Sequence, residues 1–100
     1  MRLTATHRQI ILDTVYQQAG RCARAYLFGS RLDDQARGGD IDLLIETPTA
    51  MPLIERVRLK LSLETQLGLP VDVVVRDLSV EATPFQQIAR SHAVPLETFR

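Results

Sequence analysis

Three short apolar segments constrain the fold of this chain most, because each has the length of a buried strand and is bounded by turn-forming residues. The first, ARAYLF at residues 23–28, stops at Gly29 and predicts a buried strand that runs into a tight turn. The second, residues 40–46, ends at a Thr-Pro-Thr break that cannot continue a central ladder. The third, VDVVV at residues 71–75, is almost entirely β-branched. We therefore predict three strands of one small sheet.

Helical segments flank and separate these strands. Thr4 or Thr6 can cap the first helix, and Gly68 closes the longest one. The remaining predicted elements are helices over residues 4–19, 50–67 and 80–91, the last beginning near Pro84, and an edge strand over residues 93–96. This order predicts an α/β (α+β) fold with helices packed on a small mixed sheet. The length predicts a single domain over residues 1–100.

The longest predicted helix carries two apolar stripes instead of one. The first is formed by Leu53, Ile54, Val57 and Leu61, and the second by Leu59, Leu63 and Leu67. One stripe is sufficient to dock a helix on a sheet. The other predicts either deep burial between elements or a surface for a partner, and the sequence leaves both interpretations open.

The charge balance and the cysteine content indicate what kind of protein this is and where it is located. Twelve basic and twelve acidic residues cancel, which argues against a domain that mainly grips the nucleic-acid backbone. Cys22 is the only cysteine, and we expect a partly buried thiol in a reduced cytoplasmic protein. No leader opens the chain, and no apolar run approaches the ~18 residues of a membrane span. We expect a soluble protein without membrane contact, and self-association is left open.

Asp40 and Asp42 stand two residues apart on the second predicted strand, so their side chains point to the same face. Like charges one pleat apart destabilise a sheet. A divalent cation removes that conflict by binding both, and oxygen-only ligands suit magnesium. Asp72, a lone carboxylate within VDVVV, completes an acidic cluster if its strand lies beside the second. Such a cluster has room for two metals ~3.5–4 Å apart.

Gly29 and Ser30 follow the first predicted strand. Glycine lets the backbone approach a ligand closely, and serine offers a hydroxyl and exposed amides if a helical turn starts there, as in a phosphate-binding turn. The spacing from Ser30 to Asp40 allows adjacent strands to bring this turn and the carboxylates to one end of the sheet. Each piece alone commonly marks only a turn or a strand end, but the combination in this order is specific.

The stretch LFGSRLDDQARGGDIDLLIE, followed by a helix and VDVVV, resembles the catalytic pattern of the DNA polymerase beta-like nucleotidyltransferase superfamily. The short chain resembles the minimal nucleotidyltransferase (MNT) branch of that superfamily. The resemblance implies the polymerase beta-like fold and a magnesium-dependent transfer of a nucleoside monophosphate, with AMP expected, from a nucleoside triphosphate to a hydroxyl. Pyrophosphate would be released.

The same resemblance implies roles for individual residues. Gly29, Ser30 and Arg31 would bind the triphosphate, Asp40 and Asp42 would ligate metal, and Asp72 would ligate the second metal and help to deprotonate the acceptor. Arg37 is a weaker candidate for a phosphate contact. Many minimal members read GSRARG at the turn, whereas this chain carries Asp33 and Asp34 there, which would weaken nucleotide binding.

The resemblance also implies a partner. Minimal members are frequently encoded beside a helical HEPN-domain protein and act as its antitoxin by AMPylation, and the second stripe of the longest helix would serve such a partner. One alternative is a catalytically weak or inactive binding module that neutralises its partner by occlusion. Another is a transferase for small molecules, which we disfavour because such relatives add a second domain.

Other polar and aromatic residues are expected to have structural roles. Glu46 is interpreted as a solvated strand end in preference to a residue that supports the metal ligands. His7 and His92 have no ligand-like spacing and are expected to be solvated or capping. The predicted charged ladder of the longest helix is Arg56, Lys60 and Glu64, and the predicted core aromatics are Tyr16 and Tyr26.

Overall fold

The computed structural model of the chain describes residues 4–28 and 41–96. These residues form three helices and four strands. In chain order they are α1 (Ala5–Ala19), β1 (Arg24–Phe28), β2 (Ile41–Thr47), α2 (Leu53–Leu67), β3 (Val71–Asp77), α3 (Pro84–Ser91) and β4 (Val94–Pro95). Every predicted element is found within the described residues, with ends that differ by a few positions.

The four strands form one mixed sheet in the order β3-β2-β1-β4. β2 and β3 run parallel, whereas β1 is antiparallel to both β2 and β4. A parallel pair needs a long crossover connection, and α2 provides it between β2 and β3. The predicted fold class, a small mixed sheet with helices packed on it, is confirmed.

The helix ends follow from a few capping residues. Thr4 is the N-cap residue directly before α1, and its hydroxyl accepts the backbone N–H of His7 at 3.0 Å. Gly68 ends α2 in the left-handed conformation at φ 70°, which favours glycine. The predicted start of α2 at residue 50 is wrong, because the helix begins at Leu53. Pro52 precedes it in an extended conformation, and a proline disfavours helical geometry in the residue before it.

The main core lies between one face of the sheet and the helices α1 and α2. On the sheet side, Ile41, Leu43, Ile45 and Val71 are fully buried. On α2, the stripe of Leu59, Leu63 and Leu67 faces this core. The other stripe, Leu53, Ile54, Val57 and Leu61, is 40–67% exposed. Deep burial of both stripes is therefore wrong for this chain, and a partner surface on α2 stays a prediction.

Cys22 is exposed in the turn that joins α1 to β1, so the expectation of a partly buried thiol is wrong. The turn holds this residue away from the core formed by the helices and the sheet.

Within residues 4–28 and 41–96, no helix has the length and apolar character needed to cross a membrane.

Candidate active site

The two described carboxylates of the predicted site are neighbours across the parallel strand pair. Asp42 on β2 is in register with Asp72 on β3. Side chains in register on adjacent strands point to the same face, and neighbouring strands are about 4.8 Å apart. Asp42 is half-buried and Asp72 is exposed, so both can be reached from solvent. The condition for an acidic cluster, that β3 lies beside β2, is met.

β1 leads directly to this pair of carboxylates. Its last residue, Phe28, is paired with Asp42 across the antiparallel ladder, so β1 ends beside Asp42. The other predicted site positions lie outside the described residues, namely Gly29, Ser30, Arg31 and Asp40, together with Asp33, Asp34 and Arg37. Their placement at the site stays a prediction.

A hydrogen-bonded brace occupies the far end of the same sheet face. The Tyr26 hydroxyl donates to Glu46 Oε1 at 3.0 Å, and Arg90 Nε on α3 lies 3.4 Å from Glu46 Oε2. The Arg90 guanidinium also lies 4.2 Å above the centre of the Tyr26 ring. The interpretation of Glu46 as a solvated strand end is wrong, because its side chain is only 15% exposed. It fastens α3 to the sheet.

The titration of Tyr26 fits this structural role. Burial raises the pKa of its phenol, and the hydrogen bond to Glu46 raises it further. The phenol therefore stays protonated at neutral pH and continues to donate to the carboxylate. Glu46 lies four residues along β2 from Asp42, a distance of about 13 Å at ~3.3 Å per residue. The brace therefore stands apart from Asp42 and Asp72, at the other end of the same face.

Two charged residues of α2 hold the start of β3, next to Asp72. Glu64 Oε2 accepts the backbone N–H of Val71 at 2.9 Å and lies 3.0 Å from Lys60 Nζ. Lys60 Nζ also donates to the carbonyl oxygen of Val71. The predicted ion pair of Lys60 and Glu64 is confirmed. The second role of this pair leaves no local sequence pattern, because the contact with Val71 crosses from helix to strand. These residues position the backbone that carries Asp72.

The Glu64 contact predicts a pH-dependent stability. The backbone N–H of Val71, and after it Lys60, lower the pKa of Glu64 below its ordinary value of 4.5. A lowered pKa in the folded state adds stability that is present above the ordinary value and is lost as the pH falls through the folded one. We expect Glu64→Gln to be less stable than the unchanged chain at pH 7, with the difference shrinking below about pH 4.5.

Urea unfolding of both chains between pH 7 and pH 3 measures that difference. Glu81→Gln, which removes the same charge at an exposed position before α3, is the control and should change the unfolding free energy little. A constant difference between the Glu64→Gln variant and the unchanged chain over this range would contradict the assignment.

The described residues fit only part of a metal site. In the part of the chain that the structure describes, no three histidine, cysteine, aspartate or glutamate side chains come together. Asp42 and Asp72 supply two adjacent carboxylates, and Asp40, the third predicted ligand, lies outside the described residues. Oxygen-only donors in this arrangement suit a hard cation such as magnesium. The exposed position of Asp72 also suits an acceptor that approaches from solvent.

A family model matches most of this chain. Residues 11–95 match the model for polymerase beta nucleotidyltransferases. Because the match spans most of the chain, the chain belongs to this family. The predicted class of enzyme, a nucleotidyltransferase, is confirmed by this membership. No curated protein matches the chain.

Two similar solved structures indicate that this chain resembles the minimal branch of the family. A minimal nucleotidyltransferase is 28% identical with a TM-score of 0.68, and the match covers 90% of this chain and 89% of that one. A toxin–antitoxin complex with AMP-PNP contains a chain that is 26% identical with a TM-score of 0.70, over 89% of this chain and 71% of that one. The predicted resemblance to minimal nucleotidyltransferases is confirmed.

One further structure shares the fold alone. It is a complex of a tri-AMPylated HEPN toxin of Shewanella oneidensis with an MNT antitoxin. The match is 23% identical with a TM-score of 0.69, and it covers 91% of this chain and 69% of that one.

Proposed function

We propose that this chain is a magnesium-dependent nucleotidyltransferase that moves AMP from ATP to a hydroxyl of a partner protein. Residues 1–100 would form the single domain that does this. The observation that carries the proposal is the in-register pair of Asp42 and Asp72 on adjacent parallel strands, in a chain of this family. A cytoplasmic location belongs to the same proposal.

The proposed partner is a helical HEPN-domain protein encoded beside the chain, which the chain would neutralise as an antitoxin. Two similar structures support this choice. One is a toxin–antitoxin complex with AMP-PNP, an analogue of ATP. The other is a complex in which the HEPN toxin is AMPylated. Together they favour ATP as the nucleotide and a protein as the acceptor.

Different residues of this chain would have different roles in the reaction. Asp42 and Asp72, with Asp40, would hold magnesium, which supplies charge neutralisation on the triphosphate and on the leaving pyrophosphate when it is bound. Gly29, Ser30 and Arg31 would bind the phosphates, with backbone amides and a guanidinium as donors. We expect this binding to orient the α-phosphorus toward Asp42 and Asp72.

The proposed transfer is a single displacement at the α-phosphorus. The oxygen of the acceptor hydroxyl forms a bond to the α-phosphorus, and the bond from that phosphorus to the oxygen bridging to the β-phosphorus breaks. Pyrophosphate leaves with the electron pair of the broken bond. The hydroxyl proton passes to the carboxylate of Asp72, which is exposed on the edge strand β3 and can meet an incoming side chain.

Incubation of the purified chain with labelled ATP, magnesium and the HEPN-domain protein encoded beside it tests the proposal. We expect the label from α-labelled ATP to appear on the partner and pyrophosphate to be released in equal amount. Label from γ-labelled ATP should stay off the partner, which separates AMP transfer from phosphorylation. Failure of transfer by a folded chain that binds ATP would contradict the proposal.

A further inference from the structure

Val71, the residue directly before Asp72, is held through its side chain and through both of its backbone polar groups. The side chain is fully buried in the core between α2 and the sheet. The backbone N–H donates to Glu64 Oε2 at 2.9 Å, and the carbonyl oxygen accepts from Lys60 Nζ. The ion pair of 3.0 Å between these two side chains joins the two hydrogen bonds. We call this arrangement of Lys60 and Glu64 with the backbone of Val71 the Val71 clamp.

The Val71 clamp uses backbone groups that the ladder of β2 and β3 does not use. Ile41 is the register partner of Val71 on β2, and its N–H donates to the carbonyl oxygen of Pro70 at 3.0 Å. In a parallel pair, a residue bonds to the two neighbours of its register partner and not to the partner itself. The N–H and the carbonyl of Val71 therefore face away from β2. The clamp thus adds to the ladder and replaces no part of it.

The two carboxylates of the candidate site differ in how their strands are supported. Asp42 lies on β2, which is paired with β1 and with β3. Asp72 lies on β3, which is paired with β2 alone among the strands that the structure describes. A reacting group must be held to within about 0.5 Å, and a misplacement of about 1 Å can lower the rate 10²-fold. Asp72 is therefore the carboxylate that gains most from support outside the ladder.

A contact of α3 with the same strand provides a comparison. Gln86 Nε2 donates to the carbonyl oxygen of Val75 at 3.3 Å. Val75 is three residues from Asp72, or about 10 Å along the strand at ~3.3 Å per residue. This contact is one neutral hydrogen bond, whereas the bonds of the Val71 clamp involve charged groups, and such bonds are about twice as strong. The stronger of the two contacts is thus the one beside the carboxylate.

We propose that Lys60 and Glu64 are positioning residues for the reaction, and that they fix the carboxylate of Asp72 where it binds metal and takes the proton of the acceptor. This inference rests on the proposed function, because it assigns the Val71 clamp to the reaction in which Asp72 takes part. Both side chains act through the backbone of Val71 and not on the substrate. The alternative is that the clamp only fastens α2 to β3. That alternative predicts a loss of stability without a specific loss of rate.

Three variants of the full chain separate the positioning role from the structural one. Glu64→Ala removes the acceptor of the Val71 N–H, and Glu64→Gln supplies an oxygen that can accept it again. Gln86→Ala is the control, because it removes the contact with Val75 and the hydrogen bond of 3.0 Å in which the Gln86 side chain accepts the Thr83 N–H. It costs stability at β3 and α3 but leaves the Val71 clamp intact. Thermal unfolding identifies a temperature at which all four chains are folded.

Transfer of label from ATP to the HEPN-domain partner, at saturating magnesium, measures kcat and the KM for ATP. We expect Glu64→Ala to lower kcat by at least about tenfold and to change the KM for ATP by less than about threefold, because the proposed phosphate-binding residues are unchanged. Glu64→Gln should recover most of the lost rate, and Gln86→Ala should keep kcat within about twofold. A loss of kcat that is equal in Glu64→Ala and Gln86→Ala, or absent from both, overturns the inference.

A second measurement does not depend on transfer. Mn²⁺ binds to carboxylate oxygens as magnesium does, and it broadens the NMR signals of nearby residues, so a titration of the chain alone with Mn²⁺ reports on Asp42 and Asp72. The Mn²⁺ concentration that half-broadens the Asp72 signal should rise by at least about threefold in Glu64→Ala and stay unchanged in Gln86→Ala.

The other outcomes of the Mn²⁺ titration decide between the two proposals. Equal concentrations in all variants, or no broadening of Asp72 in the unchanged chain, overturn the positioning role. If the unchanged chain and the variants show the expected Mn²⁺ pattern but the unchanged chain transfers no AMP, the proposed function fails and the positioning of Asp72 for metal remains.

Discussion

Replacement of Asp42 with asparagine is expected to lower AMP transfer by about 10³-fold or more, without loss of the fold. The substitution keeps the size of the side chain but removes the charge that would hold magnesium beside Asp72. Metal stabilisation of charge on phosphates is worth several kcal/mol of barrier, and ~4 kcal/mol corresponds to about 10³-fold in rate. Because asparagine keeps the shape of the side chain, and like charges in register across β2 and β3 repel each other, we expect the variant to fold and to unfold cooperatively.

Initial rates of label transfer and thermal unfolding of the same samples measure both effects. Glu46→Gln is the matched control, because it removes a carboxylate from the same strand and face at about 13 Å from Asp42. We expect this variant to keep transfer within about threefold and to lose some stability through its brace with Arg90. Full transfer by the Asp42→Asn variant would exclude that residue as a metal ligand.

The same variant separates catalysis from occlusion. If the chain neutralises its partner by AMPylation, Asp42→Asn should lose neutralisation together with transfer. If neutralisation survives unchanged while transfer is lost, the chain acts as a binding module, the alternative suggested by Asp33 and Asp34.

Leu63→Ala is expected to destabilise the chain by about 2–5 kcal/mol, the range for leucine truncation in a packed core. Leu63 is fully buried between α2 and the sheet. Small domains have only about 5–15 kcal/mol of unfolding free energy, so this single change removes a large share of it. Urea unfolding monitored by circular dichroism measures the loss.

Leu61→Ala, two residues earlier on the same helix, is the internal control. Its side chain is 54% exposed, so we expect a change within about 0.5 kcal/mol. The two variants have the same chemistry and differ only in the face that they alter. Similar losses at both positions would show that Leu61 is covered in solution, and the dependence of the unfolding midpoint on protein concentration would then reveal self-association.

Local sequence signals predicted the helices and strands of this fold well, because residues at or next to the ends of most of them mark those ends. Thr4 and Gly68 mark helix ends through capping chemistry that involves only nearby positions. The period of two in strands predicted that Asp40 and Asp42 share a face, and the third strand was expected to bring Asp72 beside them. The parallel register of Asp42 with Asp72 bears out that second expectation. The roles of these residues stay predictions.

Features that depend on distant contacts could not be predicted. Periodicity separated the two stripes of α2 but could not say which faces the core, because both are apolar. The position of Glu46 predicted a solvated strand end, because the contact that buries it comes from Arg90, which is far along the chain. The Lys60–Glu64 pair was predicted from helical spacing, whereas its grip on Val71 depends on how α2 packs on β3. Pro52 set a helix start that the apolar pattern placed too early.

The contact of Lys60 and Glu64 with the backbone of Val71 has a consequence for the candidate site. Among the strands of residues 4–28 and 41–96, β3 lies at an edge of the sheet and is paired with β2 alone. The two charged side chains of α2 that hold Val71 therefore act as a tether one residue from Asp72. The strand of Asp42, by contrast, is paired on both sides, with β1 and with β3. The ladder of β2 and β3 places the two carboxylates side by side, and a helix on the reverse side of the sheet adds a second hold on one of them alone.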